Sequence, residues 1–441
     1  MKHAILRDLG DGLVVRRAVP GDADALSAFN ANIHGDDPFD GRAVAAWTRD
    51  LLERPHPTFQ PGDFLIVEKA ATGEIVSSLN LISQTWAYEG IPFGVGRPEL
   101  VGTLPEYRGK GLVRVQFDVI HEWSRERGEL VQIITGIPFF YRQFGYEMGL
   151  ELGGSRRGSE AQVPALPEGE EEPYKVRSAR ESDIPFLMRM MERAAKYSMI
   201  TPVRDEALWR YDLHGKSQEN VNRIEYCVIE ARDGAPVGYL AHPWFIWGNT
   251  QVATEFQLAE DVSYLAVTPS VLRYLRTIGQ NNAQARERTL QTVGLTLGSD
   301  HLAYRAAASL LPVETRPYAF YVRVPDVPAF LTHIGPLLER RLHDSAAAGH
   351  TGELKISFYR GGVRLVFEQG KMICAEAWQP KIHEDEGMAA FPNLTFLQLV
   401  FGYRGLDALR AAYADLGVRP DAKVLLEAMF PPKPSYVWSV S

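Results

Sequence analysis

The sequence predicts an α/β (α+β) protein built in three successive domains, and three observations carry that prediction. The chain has 441 residues, about three times the ~150 residues of an ordinary domain. Its first two-thirds repeat one pattern of strand, turn, helix and hairpin. Its last third changes texture, to a helix, a β-meander and further helices. The expected domains are 1–155, 156–323 and 324–441, with mixed central sheets in the first two and an α+β arrangement in the third.

In the first domain, VRRAVPGDADAL (Val15–Leu26) reads as a short strand, a turn, and a helix whose start is capped by Asp22. FLIVEKAATGEIVSSL (Phe64–Leu79) reads as strand, glycine-containing turn, strand. Gly153–Pro173, rich in Gly, Pro and Glu, reads as a linker. The second domain then repeats the first. VRSARESDIPFL (Val176–Leu187) matches the opening at a constant offset, with Ser182 or Asp183 as the cap, and YCVIEARDGAPVGYL (Tyr226–Leu240) matches the hairpin. Two matches in the same order indicate a duplicated domain. After a boundary near Pro325–Pro328, the third domain opens with a helix around Phe330–Leu342. The strands GELKISFY, GVRLVFEQG and KMICAEAW follow, then helical patterns at Thr395–Phe401, Gly405–Leu416 and Ala422–Phe430. Three prolines hold the tail PPKPSYVWSVS extended, with Tyr436 and Trp438 as its anchors.

Composition narrows the function classes. Hydrophobic residues make up 45% and charged residues 23%, which excludes a disordered or collagen-like chain. Lys and Arg number 47 against 55 for Asp and Glu, a net charge of −8. That balance argues against a nucleic-acid partner and suits a cationic substrate. The N-terminus lacks an apolar h-region, and no run of about 18 apolar residues occurs, so the expectation is a soluble cytoplasmic protein with no membrane partner. Cys227 and Cys374 read as buried small hydrophobes. None of the 11 histidines pairs at zincin or finger spacing, so no metal is expected.

Chemistry concentrates in LVGTLPEYRGKGLVRVQFDVIHEW (Leu100–Trp123). An apolar strand ends at Thr103, a turn with two glycines and two cations follows, and a helix begins whose apolar stripe is Val113, Phe117, Ile120 and Trp123. A glycine turn feeding a helix N-terminus aims several unpaired N–H groups at one point, an anion site suited to a pyrophosphate. Gly109 and Gly111 allow close approach of phosphate oxygens, and Arg108, Lys110 and Arg114 add charge. A P-loop is excluded: six residues lie between Gly102 and Gly109, and Gly111 follows Lys110 where a hydroxyl should stand. The dinucleotide fingerprint also fails, for want of a third glycine.

Arg108-Gly-Lys-Gly111-Leu-Val113 resembles the [RQ]-x-x-G-x-[GA] turn of the GNAT superfamily of N-acetyltransferases, with Val113 in place of the small last residue. IPFFYRQFGYEMG (Ile137–Gly149) is similar to that family's closing FY-x-x-FG-[FY]-E signature. Gly111-Leu-Val-Arg114 resembles the turn of the enhanced-intracellular-survival branch, whose plan is a GNAT domain, a degenerate second GNAT domain and a sterol-carrier-protein-like domain. The resemblance covers nearly the whole chain.

What the resemblance implies is an acetyl-CoA-dependent N-acetyltransferase working by direct transfer to a primary amine: aminoglycoside-like, a polyamine or a lysine side chain. Acetyl-CoA would be held by Val101, Gly102 and Thr103 on the strand and by Arg108, Gly109, Lys110, Gly111, Leu112, Val113 and Arg114 at the turn. Tyr141 would protonate the departing thiolate once its neighbours lower its proton affinity. Tyr146 reads as core packing. The terminal carboxylate, here on Ser441, would be the base, and a homo-oligomer, possibly a hexamer, is implied. Asp36, Asp37 and Asp40 read as an acidic loop bordering the acceptor pocket. At the second repeat's turn, YLAVTPSVLRYLRTIG (Tyr264–Gly279) keeps a proline but replaces the glycine core with Ser270-Val-Leu-Arg-Tyr, so that repeat is expected to be catalytically silent. Two other readings stay open: an apolar-ligand carrier using the third domain, and a CoA-binding scaffold without turnover.

Overall fold

The computed structural model describes residues 4–381 and 384–437. Trp438 and Ser441 therefore lie outside the described residues. In chain order, the first part comprises β1 (Ile5–Gly10), β2 (Leu13–Arg17), α1 (Ala23–His34), α2 (Pro38–Glu53), β3 (Phe64–Lys69), β4 (Ile75–Tyr88), β5 (Ile91–Thr103), α3 (Leu112–Glu126), β6 (Val131–Ile134) and β7 (Glu147–Leu152). The second part comprises β8 (Ser155–Ser159), β9 (Tyr174–Ser178), α4 (Ile184–Ala195), β10 (Ile200–Pro202), α5 (Glu206–Arg210), β11 (Ile224–Ala231), β12 (Pro236–Pro243), β13 (Thr250–Ala253), β14 (Glu255–Leu258), α6 (Tyr264–Gln284), β15 (Thr292–Leu295), α7 (Leu302–Ala306), β16 (Val313–Thr315) and β17 (Tyr318–Arg323). The third comprises α8 (Val327–His333), α9 (Gly335–His343), β18 (Gly352–Ser357), β19 (Gly362–Glu368), β20 (Lys371–Trp378), β21 (Ala389–Ala390), α10 (Phe396–Val400), α11 (Leu406–Ala412), β22 (Gly417–Val418) and α12 (Pro420–Met429).

The fold is mixed α/β, with several mixed sheets. The first runs β1-β2-β3-β4-β5-β6-β17-β7, with β10 paired to the far end of β4. Helix α3 covers one face through Phe117, Ile120 and Trp123; α1 and α2 cover the other through Leu26, Phe29 and Trp47. The continuous apolar run Phe64–Val67 of β3 and the stripe of α3 follow from this sandwiching.

The repeat is visible in its polar chemistry. Arg16 binds Asp22 (2.8 Å) and Glu68 (2.7 Å); 161 residues on, Arg177 binds Asp183 (2.6 Å) and Glu230 (2.7 Å). In both repeats the guanidinium ties the first strand to the turn before the helix and to the neighbouring strand. Asp22 and Asp183 do not hydrogen-bond the helix N–H groups as expected of caps; each closes the preceding turn, on Val19 and Arg180 N–H respectively.

Several sequence expectations are corrected. Gly153–Pro173 is not a bare linker, because Ser155–Ser159 forms a strand between β15 and β16. Tyr318–Arg323, at the end of the second stretch, inserts between β6 and β7 of the first sheet. Tyr264–Gly279, read as the second repeat's turn, lies wholly within one helix, with Pro269 inside it. The expected helix at Phe330–Leu342 is two helices, broken before Gly335-Pro336. Cys227 is buried, whereas Cys374, on a sheet edge, is only half-buried. The third part shares one apolar core with the first, joining Trp86, Tyr88 and Phe93 to Phe330, Phe396 and Leu426. Among the described residues, no helix is long and apolar enough to cross a membrane.

Candidate active site

Strands β5 and β6 run parallel but pair only at Val95–Val131 and Gly96–Gln132. Beyond that point no pairing joins them, while the far edge of β6 pairs with β17. The register of β4 with β5 steps from Ser78–Gly102 to Asn80–Glu99, one extra residue on β5, with Leu100 at φ +51°. This bulge tips the backbone of Leu100–Thr103 at the opening, so the edge N–H groups of a diverging strand face a cavity instead of a neighbour.

The turn after β5 carries Gly109 and Gly111, both at φ +77°. That left-handed conformation, rather than crowding, is what demands glycine, since a Cβ at either position meets nothing within 4 Å. Gly111 caps α3, and the first backbone bond into the helix is Val115 N–H to the Gly111 carbonyl (3.2 Å). The N–H groups of Leu112, Val113 and Arg114 are therefore left for a ligand. Arg108 and Lys110 are exposed beside them, and Lys110 lies 4.6 Å from the Tyr107 ring centre. Arg114 is steadied by Gln143 (2.9 Å).

A buried polar knot holds this turn against the sheet. Ser77 Oγ contacts the Gly102 carbonyl (2.9 Å), Thr103 Oγ1 (2.8 Å) and Gln116 Oε1 (2.7 Å), and Gln116 Nε2 donates to the Leu65 carbonyl (3.0 Å). Gln116 thus locks α3 to β3 and β4 one turn below the glycines.

The opening and the turn form one cleft of about 960 Å³. Val101, Gly102, Thr103, Arg108, Gly109, Gly111, Leu112, Val113, Arg114 and Tyr141 all line it, so most of the expected residues meet there; Lys110 is exposed and does not line it. Ile33, Val44 and Trp47 form the wall opposite β5. Tyr141 is buried among Phe117, Phe140 and Tyr321, and its hydroxyl lies within 3.8 Å of where a Gly136 Cβ would stand. Burial, with the charge of Glu99, raises its pKa above the ordinary value. This corrects the expectation that neighbours lower its proton affinity: the phenol keeps its proton. Tyr146 is core, with its hydroxyl 3.0 Å from His121 Nε2.

Two titratable residues of the cleft were not singled out from the sequence. Glu99 lines it and pairs with buried Arg97 (2.7 Å). Their signal was two charges inside an otherwise apolar strand. His34 ends α1, with a buried, unpartnered Nε2 3.2 Å from the Cβ position of Gly102. Burial lowers its pKa, so the ring is neutral at physiological pH. The acidic loop is occupied: Asp37 caps α2 through Phe39 and Asp40 N–H, and faces Arg288 (3.4 Å) and Arg286 (3.9 Å) of the second repeat. The tail runs along the second repeat, with Tyr436 OH on the Thr296 carbonyl (3.1 Å). Val437 then lines a small cavity with Arg97 and Thr135, and Thr135 also lines the cleft. Ser441 itself is outside the described residues. Among those residues, no cluster of three or more His, Cys, Asp or Glu could hold a metal.

Residues 29–149 match the family model described as an acetyltransferase (GNAT) domain. No curated protein matches the chain. Among solved structures, a GCN5-related N-acetyltransferase from Kribbella flavida is similar over 97% of this chain and 100% of its own, at 19% identity and a TM-score of 0.63. Eis1 from Mycobacterium abscessus is similar over 97% and 99%, at 14% identity and 0.59. Saccharomyces cerevisiae N-myristoyltransferase with bound myristoyl-CoA is similar over 72% and 80%, at 12% identity and 0.50. The domain match and these shared folds, over a cleft with diverging strands and a glycine turn, place the fold of this chain with the GNAT acetyltransferases.

Proposed function

We propose that the chain is an acetyl-CoA-dependent N-acetyltransferase that transfers the acetyl group directly to a primary amine. One observation carries the reading: a bulged strand diverges from its neighbour and leads straight into a glycine turn at the head of α3. A thioester carbonyl needs donors where its negative charge develops, and the free edge of Leu100–Thr103 supplies them. A pyrophosphate needs convergent N–H groups and cations, supplied by Gly109–Arg114 with Arg108.

In the transfer, the amine nitrogen attacks the thioester carbon, the C–S bond breaks, and sulfur leaves with a proton. Tyr141 is the donor to sulfur. Its raised proton affinity does not disqualify it, because the desolvation that destabilises a phenolate destabilises a thiolate too. The amine arrives as an ammonium with a pKa near 10 and must lose a proton. The base proposed is the terminal carboxylate of Ser441, and the heading of the tail towards Thr135 supports it. Neutral His34 and Glu99 are the bases within the cleft should the terminus be dispensable. The domains at 1–155, 156–323 and 324–441 then act as catalytic unit, degenerate repeat and packing partner.

The test is thiol release from acetyl-CoA against aminoglycosides, spermidine and a lysine peptide, with myristoyl-CoA as the comparison. Amine-dependent release from acetyl-CoA is expected. Release with no amine of the panel, or only with the long-chain thioester, would overturn the reading.

A further inference from the structure

A cavity of about 230 Å³ that takes no part in the reaction above lies on the second repeat, with Glu151 of β7 and Pro434–Tyr436 of the tail completing its walls. Its walls come from the elements that wall the first repeat's cleft. The end of α4 stands where the end of α1 stands, β14 where the outer half of β5 stands, the start of α6 where the glycine turn stands, and the residues after β15 where those after β6 stand. The strand divergence is repeated as well. Thr250–Ala253 pairs parallel to Thr292–Leu295, and past Thr254 the chain leaves β15 and pairs with β12 instead. What is not repeated is the glycine turn, since α6 is continuous through Ser270–Tyr274. The duplication has therefore kept a chamber and lost the cradle for a pyrophosphate.

The lining defines what fits. Three carboxylates (Glu151, Glu255, Asp300) stand against three guanidinium groups (Arg193, Arg204, Arg305). Arg204 and Glu255 are buried and paired at 2.6 Å, with Tyr239 OH also on Glu255 (2.7 Å), and Arg193 is paired with Glu260 (2.8 Å). His301 adds no charge, because burial pushes its pKa down to about 4. What the chamber offers is aromatic faces and protonated phenols, Tyr264 and Tyr436 among them, on walls whose carboxylates and guanidinium groups are equal in number. The volume lies below the ~300–1,000 Å³ of sites for drug-sized ligands.

We propose that this cavity is a second small-molecule site, for an uncharged aromatic ligand of fragment size seated against Tyr436. Its occupant bears on the reaction through the tail: Val437, the next residue, already lines the cavity that shares Thr135 with the cleft. That coupling rests on the acetyl-transfer reading, whereas the site itself does not.

The test is ligand-observed NMR titration of the full chain with phenol, benzamide and indole, in the parent and in two cavity-filling variants, Ala194→Trp and Ser299→Trp. Saturable binding of at least one probe is expected, weakened tenfold or more in both variants, while calorimetry still shows one CoA per chain at unchanged affinity. Failure of all three probes to saturate, or binding that survives both variants, overturns the proposal. Binding that behaves as expected in a chain without acetyl transfer would leave the site standing and remove the proposed function.

Discussion

Tyr141 holds its proton because the aromatic cage around it excludes the water a phenolate would need. Tyr141→Phe keeps that packing and removes only the donor. General-acid contributions run to roughly 10²–10⁴-fold, so kcat should fall by about that much while CoA affinity is unchanged. Steady-state kinetics beside calorimetry separate the two; full activity in the variant would remove the assignment. The turn makes the complementary case. Gly111→Val forces a β-branched residue to φ +77°, a conformation that costs roughly 1–2 kcal/mol per residue, and it also covers the N–H groups. Arg108→Ala removes a charge-assisted contact worth roughly 1.5–3 kcal/mol. Both should weaken CoA binding by tenfold or more in calorimetry, with Tyr141 chemistry intact at saturation.

Among the elements, α3 bears most on the proposed function, since its N-terminus is the proposed anion site and Gln116 ties it to the sheet. That side chain is fully buried and bonded at both ends, to Ser77 and to the Leu65 carbonyl. Gln116→Leu is close in volume but removes the donor to the Leu65 carbonyl and one of the three contacts of the Ser77 hydroxyl, at roughly 1–3 kcal/mol for a buried group left unpaired. The expected result is a lower denaturation midpoint together with weaker CoA binding, because the turn loses its anchor. A midpoint lowered with CoA affinity unchanged would show that α3 is positioned by its apolar stripe alone. The contrast with α6 is instructive. Both helices follow a strand and carry a nearby proline, but Pro105 sits in a short turn before α3 while Pro269 lies inside α6. Without glycines that reach positive φ, the second repeat winds straight into a helix.

For the molecule as a whole, the tail and the interleaved sheets tie the parts together. If the carboxylate of Ser441 takes the amine's proton, extending or amidating the C-terminus should lower kcat. The loss should shrink as pH approaches about 10, where free amine needs no base. Full activity after extension would move the search to His34 and Glu99. Stability should depend on pH through His301. Its folded pKa is lowered to about 4 from 6.5, and its Nδ1 accepts the Ala303 N–H (3.2 Å). The folded state therefore binds fewer protons than the unfolded state between those values. Stability is present above pH 6.5 and is lost as pH falls towards 4, by roughly 2 kcal/mol between pH 7 and 5 for this group. Urea melts of the parent and of His301→Gln should show this, with the variant losing part of the slope; equal slopes would exclude His301 as the sensor.

The sequence by itself determined the mixed α/β class, the duplicated opening and the chemistry of the turn, because each is written in short stretches. The apolar run Phe64–Val67, the stripe from Phe117 to Trp123, and two glycines at the head of a helix are local patterns that need no partner to be read. Tertiary structure decided everything that depends on which edge a strand finds. Tyr318–Arg323 reads as a strand anywhere, yet only the fit of its apolar face between β6 and β7 puts it in the first sheet, nearly two hundred residues from its neighbours. That insertion fills the edge of β6 away from β5, while β5 and β6 pair only at Val95–Val131 and Gly96–Gln132 and diverge beyond, where the cleft opens. Glu99 and His34 became site residues for the same reason: a charge in a strand and a histidine at a helix end acquire a role only when the fold brings them to one opening. Alternation tells a strand which face to bury, and packing tells it beside whom.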